Sequence, residues 1–202
     1  SRVGNPHIIP SSQNLRWVNV VEHGAICDSG TTDNMGAFDR ATVAAGIGGT
    51  VYVPDCADNN FYATVNGWTI NGYRGIKIQG GGARSIIVAT GAGQDAIRIY
   101  NSPYYTVRDI TIMGVQGGGH GLVIGNVNNA GPSHRGLIDH VNIPPNVDGN
   151  GIQINHGIIT SIIRPVMFQE AAADRPSTHA SLNGGIQGAN GSGSAINVAN
   201  QP

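Results

Sequence analysis

The chain repeats a short pattern in which a small residue precedes two large aliphatic residues at alternate positions. Four copies share it: Ala96–Ile99, Gly121–Ile124, Gly151–Ile154 and Ala195–Val198. Their first aliphatic residues are at positions 97, 122, 152 and 196, which gives spacings of 25, 30 and 44. Alternation predicts strands with one buried face, and a repeat of this length is typical of a solenoid. The pattern therefore predicts an all-β chain wound into a parallel β-helix.

A second series of segments alternates with the first along the chain. Val107–Ile112, Ile138–Ile143 and Ile163–Phe168 align without gaps, with first residues 31 and 25 positions apart. In each, two non-aliphatic residues separate an aliphatic residue from an aliphatic pair at alternate positions, which predicts a bend between two inward-facing runs. Stacking would align the polar residues into columns. The predicted columns are Arg108, Asp139 and Arg164 facing outward, and Asp109, His140 and Pro165 at the bend. We interpret these residues as scaffold, with catalysis as the alternative.

The amino-terminal third has a different pattern. Val18–Val21 predicts a strand, and the polar segment 28–33 predicts a turn. Residues 34–45 place Ala37, Phe38, Ala41 and Ala44 or Ala45 on one face and end at Gly46, which predicts a short amphipathic helix. We expect this helix to cap the exposed end of the β-helix. The predicted organisation is one domain over 1–202, with the cap region at 1–56 and coils with insertions at 57–202.

Composition narrows the classes of function. The 202 residues are 11% charged and carry a formal net charge of −1, so bulk electrostatics favours neither nucleic acid nor an anionic membrane as a partner. No apolar run approaches the roughly 20 residues that span a bilayer. The seven histidines show no metal-ligand pairing, and we expect neither a metal nor a cofactor. Cys27 and Cys56 are either a disulfide or two buried thiols.

One stretch resembles a known superfamily. The order His23-Gly24-Ala25-x-x-Asp28-x-Gly30-x-Thr32-Asp33, a helix, and then Gly48-Gly49-Thr50-Val51-Tyr52-Val53-Pro54 is similar to the opening motif of the pectate-lyase-like right-handed parallel β-helices. That superfamily includes polysaccharide lyases, glycoside hydrolases and phage tailspike depolymerases. The resemblance implies that Asp28 and Asp33 are turn and cap residues. It also implies a polysaccharide partner and a location outside the cell or on a virion surface.

Insertions that leave adjacent coils supply the candidate site, because long loops on a rigid scaffold often carry binding groups. Hydrolysis of a glycan needs two carboxyl groups, and elimination needs a base and a cation. We predict Glu170 and Asp174 as the acid–base pair. The predicted substrate-binding residues are His134, Arg135, Asp148, Arg175 and Tyr104. The alternative is that the charged residues are solvated loop charges and that the tyrosine packs locally.

Three functional hypotheses follow. The first is a polysaccharide lyase or glycoside hydrolase. The second is a non-catalytic spacer or receptor-binding module of a virion or cell surface, and the third is a purely structural assembly protein. The last copy of the repeat lies four residues from the end of the sequence with nothing to cover it. We therefore expect a homo-oligomer, preferably a trimer, or further coils of a longer chain. Val123 in an otherwise polar outward column would suit a subunit contact.

Overall fold

The computed structural model of the chain describes residues 16–58, 60–114, 119–125, 133–144 and 151–155, and the backbone of three further strands at 161–163, 186–188 and 196–198. The described part contains one α-helix, α1 (Met35–Ala45), and one 3₁₀ helix (Val20–His23). The strands are β1 (Trp17–Asn19), β2 (Thr50–Val53), β3 (Tyr62–Thr64), β4 (Trp68–Asn71), β5 (Lys77–Gly80), β6 (Ile86–Ala89), β7 (Ile97–Tyr100), β8 (Thr106–Met113), β9 (Leu122–Ile124), β10 (Leu137–Asn142), β11 (Ile152–Ile154), β12 (Ser161–Ile163), β13 (Ile186–Gly188) and β14 (Ile196–Val198).

The strands form two sheets in which every described pair is parallel. An eight-stranded sheet has the order β1-β2-β5-β8-β10-β12, with β6 pairing both β3 and the second half of β8. A six-stranded sheet has the order β4-β7-β9-β11-β14-β13. From β7 to β12 the chain visits the two sheets in turn. The prediction of a mainly β chain with parallel strands and one helix is confirmed.

The first repeat is confirmed in register. Ile97 lies opposite Leu122, Leu122 opposite Ile152, and Ile152 opposite Ile196. The final copy in the sequence is not the edge of the sheet, because β14 lies between β11 and β13. The expectation that this copy forms an uncovered last coil is therefore wrong. Strand position is set by backbone pairing and not by order along the chain.

The second series is confirmed in part. Ile138 lies opposite Val107, as the spacing of 31 predicts. On its other side Ile138 pairs with Ile162, so the predicted alignment with Ile163 is wrong by one residue. Two successive isoleucines left the alternation ambiguous at this strand, and alternation is what fixes register. Arg164, predicted opposite Asp139, and Pro165 lie outside the described residues.

Helix α1 packs against strands β1, β2 and β4. Its buried face matches the prediction, with Ala37, Phe38, Ala41 and Ala45 inside, and the helix ends at Gly46 with φ 66°. The ring of Phe38 lies 4.8 Å from that of Trp68 in β4, and Trp68 Nε1 donates a hydrogen bond to Thr42 Oγ1 at 3.0 Å. The contact joins the helix to the six-stranded sheet.

The segment before α1 differs from the prediction at one end. The strand predicted over Val18–Val21 stops at Asn19, and the chain turns into the 3₁₀ helix at Val20. The side chain of Asn19 accepts a hydrogen bond from the Val21 amide at 3.0 Å, which caps this helix. Such a local side-chain bond competes with strand pairing.

Three expectations for the cap region are resolved. Cys27 and Cys56 are joined by a disulfide. Asp28 accepts hydrogen bonds from the amide of Thr32 at 3.1 Å and from its hydroxyl at 2.6 Å, and these bonds lower the pKa of the Asp28 carboxyl below its usual value. Asp33 Oδ1 accepts from the amides of Met35 and Val65, both at 3.1 Å. The turn and cap roles implied for the two aspartates are confirmed.

Candidate acid–base site

Two charged residues occupy a bend in successive strands of the eight-stranded sheet. Asp109 in β8 has φ 52° and His140 in β10 has φ 51°. This left-handed conformation costs a residue other than glycine about 1 kcal/mol or more. On the preceding strand the matching position is Gly80, where a Cβ would collide with the Asp109 carbonyl. Glycine at position 80 therefore allows the close approach of β5 to the strained residue Asp109.

The side chains around this bend converge. His140 Nδ1 lies 3.4 Å from Asp109 Oδ1 and 3.5 Å from Asp139 Oδ1. Arg108 Nε lies 3.0 Å from Asp109 Oδ2, and an Arg108 Nη atom lies 4.0 Å from Asp139 Oδ2. Gln79 Nε2 donates to Asp109 Oδ2 at 3.0 Å. We refer to Gln79, Arg108, Asp109, Asp139 and His140 as the bend cluster.

Within the bend cluster Asp139 is buried, whereas His140 is accessible to solvent. The Asp139 side chain is 6% exposed, whereas that of His140 is 45% exposed. Asp139 was predicted to face outward in one column with Arg108; the two residues are in register, but the Asp139 side chain is buried. Arg108, placed in the same column, is half-exposed as predicted, and Asp109 is partly buried. An imidazole in contact with solvent thus rests on a shielded carboxylate.

This arrangement suits proton transfer. Two carboxylate oxygens that face one imidazole nitrogen favour a proton on Nδ1 and leave Nε2 to act as a base. The contacts of 3.4 and 3.5 Å also limit the separation of Asp109 Oδ1 and Asp139 Oδ1 to 6.9 Å. In glycosidases the two carboxyl groups lie about 5–5.5 Å apart in retaining enzymes and about 6.5–9.5 Å apart in inverting enzymes. The limit of 6.9 Å is compatible with either spacing. Arg108 adds a cation beside the carboxylates.

An aromatic pair lies on the outward side of the same sheet. Tyr52, Gln79, Arg108 and Asp139 are in register across β2, β5, β8 and β10, so the pair and the bend cluster share one face. Tyr52 is half-buried between the buried Val51 and Val53, and its ring lies 5.3 Å from that of Trp17, which is 60% exposed. Exposed aromatic rings offer flat apolar surface beside polar groups.

Three predicted binding residues lie in the described part of the chain. Arg135 Nη1 donates a hydrogen bond to the Tyr104 hydroxyl at 2.8 Å, and the Tyr104 amide donates to the His134 carbonyl at 2.8 Å. Among the described residues, His134 Nδ1 is buried with no hydrogen-bond partner. Tyr104 and Arg135 are thus neighbours, and their role in binding stays a prediction. Asp148, Glu170, Asp174 and Arg175 lie outside the described residues.

The sequence contained a signal for the bend cluster that we interpreted differently. Adjacent charged residues occurred at the same place in two aligned segments, and we took Asp109, Asp139 and His140 as scaffold. The register is confirmed, but it also brings two carboxylates onto one imidazole. Within the described ranges no group of three or more His, Cys, Asp or Glu residues could hold a metal ion. No helix in that part of the chain is long and apolar enough to cross a membrane.

Val123 was predicted to face outward, where it would suit a subunit contact. Its side chain is 3% exposed, so it is unavailable for that contact in the chain as described. The neighbouring position in β11, Gln153, is also buried and donates a hydrogen bond to Asn155 Oδ1 at 2.8 Å. Because Val123 and Gln153 are buried, the outward exposure on which the predicted subunit contact was based is absent at these two positions.

The sequence matches no protein-family model, and no curated protein matches it. Among solved structures, the A-module of the Azotobacter vinelandii mannuronan C-5 epimerase AlgE4 is similar, with 21% identity and a TM-score of 0.55 over 72% of this chain and 43% of that one. The AlgE6 A-module has 19% identity and a TM-score of 0.51 over 72% and 41%. The catalytic unit of a GH87 α-1,3-glucanase from Streptomyces thermodiastaticus has 18% identity and a TM-score of 0.47 over 79% and 31%. The chain spans less than half the length of each, and the likeness to the epimerase modules concerns the fold.

Proposed function

We propose that the chain is a polysaccharide-active, right-handed parallel β-helix of the pectate-lyase-like type, and that the bend cluster performs its acid–base chemistry. The convergence of Asp109, Asp139 and His140 beside Arg108 carries the proposal. The alternation of strands between two parallel sheets and the likeness to modules of enzymes named for mannuronan support the β-helix and the class of substrate. The exposed ring of Trp17, packed against the half-buried Tyr52, supplies a surface on which sugar rings can stack.

The geometry supports elimination best. In this scheme His140 Nε2 removes the proton beside the carboxyl group of a sugar, while the contacts of Asp109 and Asp139 with Nδ1 keep the ring oriented and stabilise the imidazolium that forms. Arg108 stabilises the negative charge that develops on the substrate. The glycosidic C–O bond then breaks, and the leaving oxygen takes a proton from the imidazolium or from water.

The test is a panel of acidic and neutral polysaccharides that includes alginate, polygalacturonate and dextran. Elimination releases products with a double bond that absorbs ultraviolet light, whereas hydrolysis releases reducing ends without that absorbance. We expect Asp109→Asn and His140→Gln to lower the rate about 100-fold or more. Release of reducing ends without ultraviolet absorbance would show that the reaction is paired-carboxylate hydrolysis and not elimination.

The predicted pair Glu170 and Asp174 remains a competing proposal. Glu170→Gln and Asp174→Asn enter the same assay as the bend-cluster variants. Loss of activity in these two with full activity in Asp109→Asn would move the chemistry to the insertion. Polysaccharide binding without cleavage by the wild-type protein would favour the non-catalytic receptor-binding module.

We also propose that the protein works outside the cell or on a virion surface, as a tailspike-type homotrimer. The Cys27–Cys56 disulfide supports the location, since disulfides persist in oxidising compartments. The trimer rests on the sequence resemblance, and light scattering during size-exclusion chromatography tests it. A monomeric mass at micromolar concentration would contradict the trimer and leave the chemistry of the bend cluster standing.

A further inference from the structure

Two guanidinium groups lie over one exposed tyrosine ring, just before β8. The Cζ atoms of Arg74 and Arg135 lie 4.9 and 5.6 Å from the centre of the Tyr104 ring. Arg135 also holds the Tyr104 hydroxyl through the 2.8 Å hydrogen bond, and the tyrosine is 40% exposed. We call Arg74, Tyr104 and Arg135 the tyrosine platform. It joins a flat apolar surface to two cations.

The backbone beneath the platform is a stack of left-handed turns. Gly48 donates to the Arg74 carbonyl at 2.9 Å, Gly75 to the Pro103 carbonyl at 2.8 Å, and Tyr104 to the His134 carbonyl at 2.8 Å. The φ angles along the stack are 74° at Gly48, 73° at Gly75, 64° at Tyr104 and 56° at Arg135. Glycine adopts this conformation freely, whereas tyrosine and arginine do so at a cost. Strain of this kind points to a use for the side chains.

Within the described part of the chain, the charges of Arg74 and Arg135 have no carboxylate partner. Among the residues that the structure describes, no carboxylate lies within 4.0 Å of Arg74 or Arg135, whereas Arg98 and Arg108 each pair with an aspartate. Lys77 follows three residues after Arg74 and is half-buried beside the buried Ile78, so it lies on the outward side of β5. The described surface around Tyr104 is therefore cationic, although the whole chain carries a formal charge of −1.

The platform and the bend cluster lie at opposite ends of the same two strand segments. Tyr104 precedes Asp109 by five residues, and Arg135 precedes His140 by five. At about 3.3 Å per residue the two sites are about 16 Å apart. Lys77 and Thr106, which are in register, lie on strands between them. A polysaccharide that runs along these strands would reach both sites.

We infer that the tyrosine platform is a subsite for an acidic sugar ring, one that packs on the exposed part of Tyr104 and places its carboxylate between Arg74 and Arg135. The inference rests on the proposed function and adds a second contact with the acidic polysaccharide, away from the bend cluster. Arginine suits this role because its planar guanidinium matches a carboxylate and also stacks on an aromatic ring. The aromatic ring selects a sugar face over a simple anion.

Binding of the intact protein to alginate, polygalacturonate, heparin and dextran, measured by affinity electrophoresis, tests the inference. We expect the double variant Arg74→Gln/Arg135→Gln to weaken binding of the two polyuronates about tenfold, and added salt to weaken wild-type binding. The control is Arg84→Gln, which removes the same charge from an exposed arginine that follows β5 rather than preceding it. Tyr104→Phe keeps the ring and separates stacking from the hydroxyl bond, and circular dichroism checks folding of each variant.

The outcomes separate this inference from the proposed function. Binding to polyuronates that the double variant leaves unchanged, or that Arg84→Gln weakens equally, overturns the platform and leaves polysaccharide activity intact. Binding of the wild-type protein to dextran as strong as its binding to the polyuronates also overturns the platform and leaves polysaccharide activity intact. Heparin bound in place of the polyuronates overturns the assignment of a carboxylate. Failure to bind any of the four overturns the inference together with the proposed class of substrate.

Discussion

Replacing His140 by glycine separates a catalytic histidine from a scaffold histidine. At φ 51° glycine relieves the strain of the left-handed conformation, which stabilises the folded state by about 1–2 kcal/mol. The greater freedom of glycine in the unfolded chain destabilises the folded state by about 0.5–1 kcal/mol. The lost contacts with Asp109 and Asp139 contribute about 0.2–1 kcal/mol, because the His140 side chain is 45% exposed. We therefore expect His140→Gly to leave the free energy of unfolding within about 1 kcal/mol of the wild type.

The paired variant His140→Ala isolates the strain. Alanine loses the same contacts but keeps the left-handed conformation, so we expect it to be about 0.5–1 kcal/mol less stable than the glycine variant. For a chain of this length that difference is about 1–4 °C in melting temperature, measurable by differential scanning calorimetry. Both variants should lose polysaccharide cleavage about 100-fold or more. Asn101→Gly, at an exposed turn with φ 47°, is the control that keeps activity.

Two results would refute this reasoning. A loss of more than about 2 kcal/mol in both His140 variants would identify the histidine as scaffold. Full cleavage activity in His140→Gly, with the fold intact, would remove the imidazole from the chemistry and return attention to Glu170 and Asp174.

Three further predictions concern stability and pH. Phe38→Ala should lower the free energy of unfolding in urea by about 3–5 kcal/mol, since the ring is fully buried; a loss below about 1 kcal/mol would contradict its place in the core. Cys27→Ser/Cys56→Ser opens a loop with a sequence separation of 29 and should cost about 3–4 kcal/mol; an unchanged melting temperature would contradict the constraint. Burial lowers the pKa of His120, an effect that Asp95 partly offsets, so the folded state binds that proton less readily than the unfolded chain. Stability should be complete above about pH 6.5 and fall as the pH drops towards the lowered value, and His120→Gln should flatten the slope in pH-dependent melting curves; an equal slope in that variant would assign the titration elsewhere.

The sequence was most informative where the alternation of apolar and polar residues is regular. The registers that join Ile97, Leu122, Ile152 and Ile196 were predicted because one-residue slips would turn each strand's apolar side chains outward. Helix α1 was predicted almost to the residue, since its apolar face and Gly46 mark it locally. Prediction failed at Ser161–Ile163, where consecutive apolar residues allow two registers.

The bend cluster could be located from the sequence but not assigned. Alignment placed Asp109 and His140 at one bend, yet polar residues at a bend are compatible with solvated scaffold. Whether they contact each other depends on the backbone angles at the bend and on the burial of Asp139, and neither is written in the local pattern. The tyrosine platform was harder still, because Arg74 comes from a third segment that carries no repeat signal.

The sequence by itself determined helix α1 and the pairing within the repeats, of β7, β9, β11 and β14 and of β8 with β10, because both follow from the spacing of apolar side chains that must be buried together. Only the tertiary structure decided that Cys27 is bonded to Cys56, that β13 rather than β14 lies at the edge of its sheet, and that two carboxylates meet one imidazole. Local pattern specifies which face of a strand is buried. It does not specify which distant side chains meet, since residues about 30 positions apart are brought within 4 Å only by the register and bends of the folded chain.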